Sequence, residues 1–338
     1  MNILFTSAGR RGYLIRYFKQ ELSGKGLVHA ANSLDMNSAF LEADFSVVTP
    51  SIYDEIYISF LINYCRHHAI KAIIPLFDID LPVLAAHESD FQEIGVTLVC
   101  SSPKVCQICN DKLKTYNFLK EHGIYVPQTY ISLKDAHAAL KKGILNFPII
   151  LKPRWGMGSI GVYVAENLNE LDIFFAKVKR DIQQSYLKYE SCAEINSAVL
   201  VQQMLQGQEY GLDVINDING VYVTTFVKEK IAMRSGETDI ARTVNSELLS
   251  SLGENLSMSL GHRANLDVDV FLVDNKPYVL EMNARFGGGY PFSHLAGANL
   301  PKAILSWLDG KTANPNCFVI TEDITGIKNI EPCRWSKC

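Results

Sequence analysis

Strand and helix signals alternate through the first hundred residues, and this alternation constrains the fold more than any other feature. Asn2–Thr6 is a short apolar run, Gly12–Leu22 has helical spacing through Tyr13, Tyr17 and Leu22, and Leu27–Ala31 and Phe45–Val48 read as strands. Ile56–His68 reads as a helix, Ala72–Pro75 as a buried strand, Leu81–Phe91 as a helix and Val96–Cys100 as a strand. Strands alternating with helices make βαβ units and a parallel sheet. The expected class is α/β, with a parallel-sheet domain over residues 1–105. Ser7-Ala8-Gly9-Arg10-Arg11-Gly12 follows the first strand but lacks GxGxxG spacing, and no acid stands at the distance a dinucleotide site needs. A nicotinamide cofactor is not expected.

The texture changes from about Asp111, where the reading becomes α+β. Lys112–His122 and Lys134–Lys142 read as helices on either side of a strand at Gln128–Ser132. Pro148–Lys152 and Val162–Val164 form a hairpin around the glycine-rich stretch Gly156-Met157-Gly158-Ser159-Ile160-Gly161, and Leu168–Gln184 is a long helix. After the polar stretch Glu190–Ser197, the strands Leu200–Gln203, Glu209–Asn216 and Val221–Ile231 read as antiparallel, with Asp217-Ile218-Asn219-Gly220 as a hairpin turn. A helix is expected over Ala241–Leu260. Val268–Val273 and Pro277–Glu281 then pair across the turn Asp274-Asn275-Lys276. Residues 106–310 are expected as one domain, divided into 106–198 and 199–310, and 311–338 as a tail without a readable motif.

Domains usually run roughly 100–200 residues, so 338 residues, 48% of them hydrophobic, provide ample core for two or three packed units. A net charge of −4 argues against a nucleic-acid surface, which needs clustered Lys and Arg. No apolar run reaches the roughly 18 residues a membrane helix needs, and Met1–Phe5 is too short for a signal-peptide core. A cytoplasmic protein with reduced thiols is expected, since eight cysteines in a chain this long do not suggest a disulfide scaffold. Cys106-x-x-Cys109 is a lone pair, and Cys333 and Cys338 do not complete a zinc site with it.

Four pieces converge on phosphate and metal chemistry. Gly156, Gly158 and Gly161, with Ser159, let backbone N–H groups approach phosphate oxygens. Lys152 stands where a strand enters that loop, placed to pair with phosphate charge. Asp269 and Glu281 lie on adjacent hairpin strands, where cross-strand partners sit about 5 Å apart. Two carboxylates so close need a cation between them, and with the Asn283 amide they suit Mg²⁺. Arg285 follows two residues beyond Asn283, where a guanidinium could hold transferring phosphoryl oxygens. Lys228 and Lys230 alternate onto one strand face with Arg234 after them, and Lys230 is the favoured γ-phosphate contact.

These motifs resemble the ATP-grasp superfamily, most closely its carbamoyl-phosphate-synthetase-like single-chain ligases, over nearly the whole chain. Asn110-Asp111-Lys112 with Gly123-Ile124-x-Val126-Pro127 resembles the opening of that domain, and Pro148–Pro153 with the glycine loop resembles its phosphate hairpin. Val201-Gln202-Gln203-Met204-Leu205-x-Gly207-x-Glu209 resembles the adenine hinge, and Asp269 with Glu281-x-Asn283-x-Arg285-Phe286-Gly287-Gly288 resembles the metal signature. The resemblance implies a Rossmann-like domain followed by a two-lobed ATP-grasp domain. It implies that Lys112 and Lys152 contact ATP phosphates and that the backbone of Gln203 and Leu205 holds adenine. Glu209 would hold the ribose, Asp269, Glu281 and Asn283 would hold two Mg²⁺ (Mn²⁺ substituting), and Arg285 would stabilise an acyl-phosphate. Gln202 and Gln203 depart from the acid or lysine of many relatives.

The implied activity joins a small-molecule carboxylate to an amine, in a monomer or a homodimer. The alternatives are a nucleotide-binding regulatory module that kept the fold, and an ATP-grasp kinase. For the substrates the sequence offers less. Asp78 and Asp80 follow a strand end, where they could read an amine, or Asp80 could cap a helix. Arg10 and Arg11 could hold an anion or face solvent. His294 reads as structural ahead of a general base. Amino acids or a sugar acid are the candidate substrates, while a single ATP-grasp unit without a glutaminase argues against carbamoyl phosphate as product. Trp155 and Met157 are expected to pack the hinge of the glycine loop.

Overall fold

The first domain is a five-stranded parallel sheet in the order β3-β2-β1-β4-β5. Its strands are β1 (Asn2–Thr6), β2 (Val28–Asn32), β3 (Phe45–Val48), β4 (Ile70–Pro75) and β5 (Thr97–Leu98). The covering helices are α1 (Gly12–Leu22), α2 (Tyr57–His67), α3 (Asp80–Ala86) and α4 (Glu88–Glu93). β1 lies central and is buried along Ile3, Leu4 and Phe5, so side chains on both sheet faces need helical cover. The chain is described here by a computed structural model over residues 1–156 and 158–335. Met157, with the hinge role expected of it, and the terminal Cys338 lie outside the described residues.

Two helices, α5 (Pro103–Asn110) and α6 (Lys112–Glu121), lead into a four-stranded antiparallel sheet ordered β6-β9-β7-β8. These strands are β6 (Thr129–Tyr130), β7 (Ile149–Pro153), β8 (Tyr163–Ala165) and β9 (Val199–Gln203). The helices α7 (Leu133–Lys141), α8 (Leu168–Gln184) and α9 (Leu187–Ser191) belong to this lobe, whose core includes Ile149, Leu151, Leu171, Val178 and Val201.

The third sheet is six-stranded and antiparallel, ordered β14-β13-β10-β11-β12-β15. It is built from β10 (Gln208–Asn216), β11 (Tyr222–Arg234), β12 (Glu237–Val244), β13 (Asn265–Val273), β14 (Lys276–Asn283) and β15 (Thr325–Ile327). Helix α10 (Glu247–Leu260) packs on it, and α11 (Tyr290–Leu295) and α12 (Leu300–Leu308) follow. Phe5, Phe18, Phe286, Tyr290, Leu300 and Ile304 share one core cluster, which fuses the first domain to the third sheet. Each such buried aromatic or aliphatic side chain contributes about 1.5–3 kcal/mol. That shared core fixes the first domain's loops against the end of β14.

Three expectations give way. The segment read as one helix over Ala241–Leu260 is β12 followed by α10. Thr238, Ala241 and Thr243 are buried in the sheet, and Ser246 caps the helix by accepting a hydrogen bond from Leu249 N–H. The helix read over Leu81–Phe91 is two helices that meet at His87, whose ring engages Asp90 at 2.8 Å. The tail is not featureless, since β15 pairs with Ile240–Arg242 of β12. A side chain at Gly326 would come within 2.6 Å of Phe292, so only glycine lets β15 pass this close to α11.

Candidate active site

The site is built on the β13–β14 hairpin. Val268, Val270, Val279 and Met282 are buried in the core; a bulge at Leu280 lets Val279 and Met282 share that face, and Asp267, Asp269, Glu281 and Asn283 turn to the other. Asp269 stands directly opposite Glu281, and Asp267 opposite Asn283. Asp267 was missed at the level of sequence, although its spacing of two from Asp269 was the signal that could have found it. The turn at Asp274 and Asn275 takes positive φ at both residues, as a tight hairpin requires.

Three lysines converge on these acids. Lys112 begins α6, whose cap Asp111 accepts from Leu113 and Lys114 N–H and is gripped by Arg154 through two 2.7 Å bonds. Lys112 Nζ lies 2.5 Å from Gly156 O and 3.4 Å from Glu281. Lys152 is buried in β7, and burial, reinforced by Lys112, lowers its pKa to about 8 against the pull of Glu281 and Asp269. Lys230 Nζ donates to Asp269 at 2.6 Å and to Glu209 at 2.7 Å. Burial presses the Lys230 pKa down, but Asp269 and Glu209 outweigh it and hold the pKa above the usual lysine value. Burial raises the pKa of Asp269, while for Glu281 burial is overcome by Lys112, Lys152 and Lys230, which pull it down. Lys228 is buried against Asp213 and Ser293, which removes it as a rival to Lys230.

The glycine loop joins β7 to β8 as expected. Gly158, Ser159 and Gly161 have positive φ, a conformation costly for residues with a side chain and tolerated where surroundings enforce it. The loop rests on the turn between β11 and β12, where a Cβ on Gly236 would lie 2.5 Å from Ser159 Oγ. Trp155, at the loop's base, stacks under the Arg154 guanidinium at 4.2 Å. At the expected hinge, Gln203 N–H donates to Gln128 O at 2.8 Å, while Gln128 N–H donates to the Gln203 side chain at 3.2 Å. The Gln203 backbone N–H and side-chain oxygen are therefore both engaged with Gln128.

Arg285 leaves the strand and turns to the first domain. It donates to Asp78 at 2.8 Å and lies 3.4 Å from Asp267, and these two acids outweigh burial to hold its pKa up. Asp78 is thus a site residue. Asp80 is not a substrate reader, nor does it cap α3. It is fully buried, accepts from Tyr57 Oη at 2.8 Å and Ser7 Oγ at 3.0 Å, and anchors the Ser7–Gly9 loop. His294 stacks on Tyr17 at 3.7 Å, in keeping with a structural role. Cys106 and Cys109 are buried free thiols.

The hairpin, the glycine loop, the Ser7–Arg11 loop and the Gly236 turn enclose a cavity of about 370 Å³. Among the described residues no cluster of three or more His, Cys, Asp or Glu is arranged to hold a metal. The donor set is two facing carboxylates and an amide. Such a set leaves most octahedral positions to water or phosphate oxygens, which is how Mg²⁺ is usually held. The residues present fit a Mg²⁺–nucleotide.

Residues 109–289, more than half of the chain, match the ATP-grasp domain model. The chain belongs to the ATP-grasp family. Residues 3–99 match the model described as PylC-like, N-terminal domain. A D-alanine–D-alanine ligase from Petrotoga mobilis is 26% identical over 205 residues, which is 56% of this chain and 62% of that protein. The carbamoyl phosphate synthase large chain of Helicobacter pylori is 23% identical over 278 residues, 80% of this chain and 25% of that one. The chain thus spans less than two thirds of these relatives' length. Its fold resembles the biotin carboxylase domain of Hydrogenobacter thermophilus 2-oxoglutarate carboxylase, solved with MgADP, at a TM-score of 0.73 and 14% identity over 96% of this ATP-grasp chain and 73% of that one. Among the described residues no helix is long and apolar enough to cross a membrane.

Proposed function

We propose that this protein is an ATP-dependent carboxylate–amine ligase that works through an acyl-phosphate. The observation that carries the reading is the pairing of Asp269 with Glu281 beneath three lysines, with Arg285 drawn across from them by Asp78. Bound ATP would supply the γ-phosphoryl group that converts a carboxylate into a good electrophile, and Mg²⁺ would neutralise the phosphates.

The chain's own residues then position and shield. Lys112 and Lys152 would pair with phosphate oxygens, and Glu209 would turn from Lys230 toward the ribose hydroxyls. Asp269, Glu281 and Asn283 would hold Mg²⁺. Lys230 would reach the γ-phosphate, and Arg285 would face the charge that develops on the transferring group. The Gly156–Gly161 loop would close and exclude water, which otherwise hydrolyses an acyl-phosphate. Residues 1–105 would supply the substrate wall, 106–310 the nucleotide clamp, and 311–335 its edge strand.

The test is phosphate release from MgATP over pairs of small carboxylic acids and amines, with mass spectrometry of the product. Release that needs both an acid and an amine, with an amide formed, supports the ligase. Release that needs only the acid would indicate a kinase, and MgADP binding without turnover for any pair would indicate a regulatory module.

A further inference from the structure

The first domain's wall of the cavity holds cations that the ligase reading above, on which this inference rests, does not use. The carboxylates that line the cavity beside that wall already have cations. Asp78 and Asp267 share Arg285 at 2.8 and 3.4 Å, and Glu237 holds Lys328 at 3.2 Å. Arg10 and Arg11, which both line the cavity, have no such partner. Among the described residues no carboxylate oxygen lies within 4.0 Å of either guanidinium.

Arg11 is partly buried and donates to the Phe286 carbonyl. Burial and the neighbouring Arg285 both press its pKa down, so its charge is held at a cost. Arg285, with a side chain only 9% exposed, keeps a buried Nε–H without a hydrogen-bond partner. Helix α1 begins immediately after Arg11 with no side-chain cap and no acid in its first turn, so the helix start adds positive potential there. Buried donors without acceptors are rare in folded proteins and point to a missing partner. The orphan donor lies on Arg285, whereas Arg11 offers the cavity a partly buried guanidinium with one carbonyl acceptor and no carboxylate, which suits an anion. Asp80 prepares the place, because it fixes Ser7 and with it the loop that carries both arginines.

We propose that Arg11, with Arg10 at the mouth, binds an anionic group of the substrate other than the carboxylate that is phosphorylated. A carboxylate or a phosphate would satisfy the same guanidinium geometry, since both accept paired N–H donors. The anion would then sit on the amine substrate, whose ammonium end would face Glu237 across the cavity. Glu237, on the opposite wall, is kept ionised by Lys328, Arg10 and Arg11 against partial desolvation, and it would meet the ammonium end.

The test measures phosphate release from MgATP with a mixture of carboxylic acids and one amine at a time. The amines form matched sets: β-alanine, 2-aminoethylphosphonate and β-alaninamide, then glycine, aminomethylphosphonate and glycinamide. In the wild type an anionic member should outperform its neutral amide at least tenfold, through KM. Comparing the carboxylate with the phosphonate member then identifies the anion. Arg11→Gln should bring that ratio to near one while the melting shift given by MgADP persists, and Arg11→Lys should restore part of it. If Arg11→Gln does not fold, Arg10→Gln should lower the ratio at least threefold. Equal rates for anionic and neutral members, or an unchanged ratio in Arg11→Gln, overturn the inference and leave the ligase standing. Absence of release with every amine overturns the ligase reading itself, and this inference with it.

Discussion

Lys230 Nζ sits 2.6 Å from Asp269 and 2.7 Å from Glu209, so one buried cation bridges the acid expected to hold Mg²⁺ and the acid expected to hold ribose. Without nucleotide, Lys230 is the charge that makes this acidic pair tolerable. Removing one partner of a buried ion pair costs roughly 3 kcal/mol. Lys230→Met should therefore lower stability by about that amount in chelator, and Mg²⁺ should recover more of the loss than it adds to wild type. Urea unfolding with and without Mg²⁺ checks this. An equal Mg²⁺ effect on both proteins would mean that the cation does not bind beside Asp269.

Gly236 carries the contact between the glycine loop and the β11–β12 turn. Its φ is +78°, and a methyl group would meet Ser159 Oγ at 2.5 Å and Gly158 C at 2.9 Å. Gly236→Ala should hold the loop off the site and raise the KM for ATP roughly tenfold, which corresponds to about 1.4 kcal/mol. Hydrogen exchange across residues 158–161 with a non-hydrolysable ATP analogue should show full protection in the wild type and partial protection in the variant. Equal protection in both would make the loop a rigid turn.

Lys152→Ala should raise the KM for ATP and lower kcat, because a charge-assisted hydrogen bond contributes about 1.5–3 kcal/mol. Lys152 is buried at the entry to the loop, and among the described residues no acid is hydrogen-bonded to it, only the nearby charges of Glu281 and Asp269 acting on it. An ATP titration that matches wild type would remove Lys152 from the phosphate site.

His262 sets an acid limit to stability. It is fully buried, its Nε2 donates to Val214 O at 3.0 Å, and burial lowers its pKa from 6.5 to about 4. The folded state therefore refuses a proton that the unfolded chain accepts. This contribution is complete above pH 6.5 and is lost as pH falls toward 4, by roughly 3 kcal/mol in all. His262→Gln should be less stable at pH 7 yet show a shallower decline between those limits. Parallel denaturation curves at pH 7 and pH 4.5 measure the difference, and an unchanged slope would contradict it.

The parallel sheet and the metal hairpin were legible because their apolar runs are short and bounded by clear turns. Val268, Val270 and Leu280 mark the hairpin, but counting from the turn alone would set Asp269 opposite Leu280, and it is a bulge at Leu280 that brings Glu281 opposite Asp269. The strand β12 was hidden, since Asp239–Val244 runs straight into the apolar period of α10 and only Ser246 marks the break. The roles of Asp78 and Asp80 could not be separated in sequence. One faces Arg285, 207 positions away, and the other faces Tyr57 and Ser7. Long-range pairings of this kind leave no local pattern. The same holds for Thr325–Ile327, whose strand exists only because β12 offers it an edge.

The central claim is that a carboxylate oxygen attacks the γ-phosphorus and then departs with phosphate when the amine adds. A carboxylate substrate labelled with ¹⁸O in both oxygens tests this directly, by mass spectrometry of the inorganic phosphate released in the presence of an amine. The account predicts one ¹⁸O atom in each phosphate and one retained in the amide. Phosphate without label, at a turnover that depends on both substrates, would contradict it.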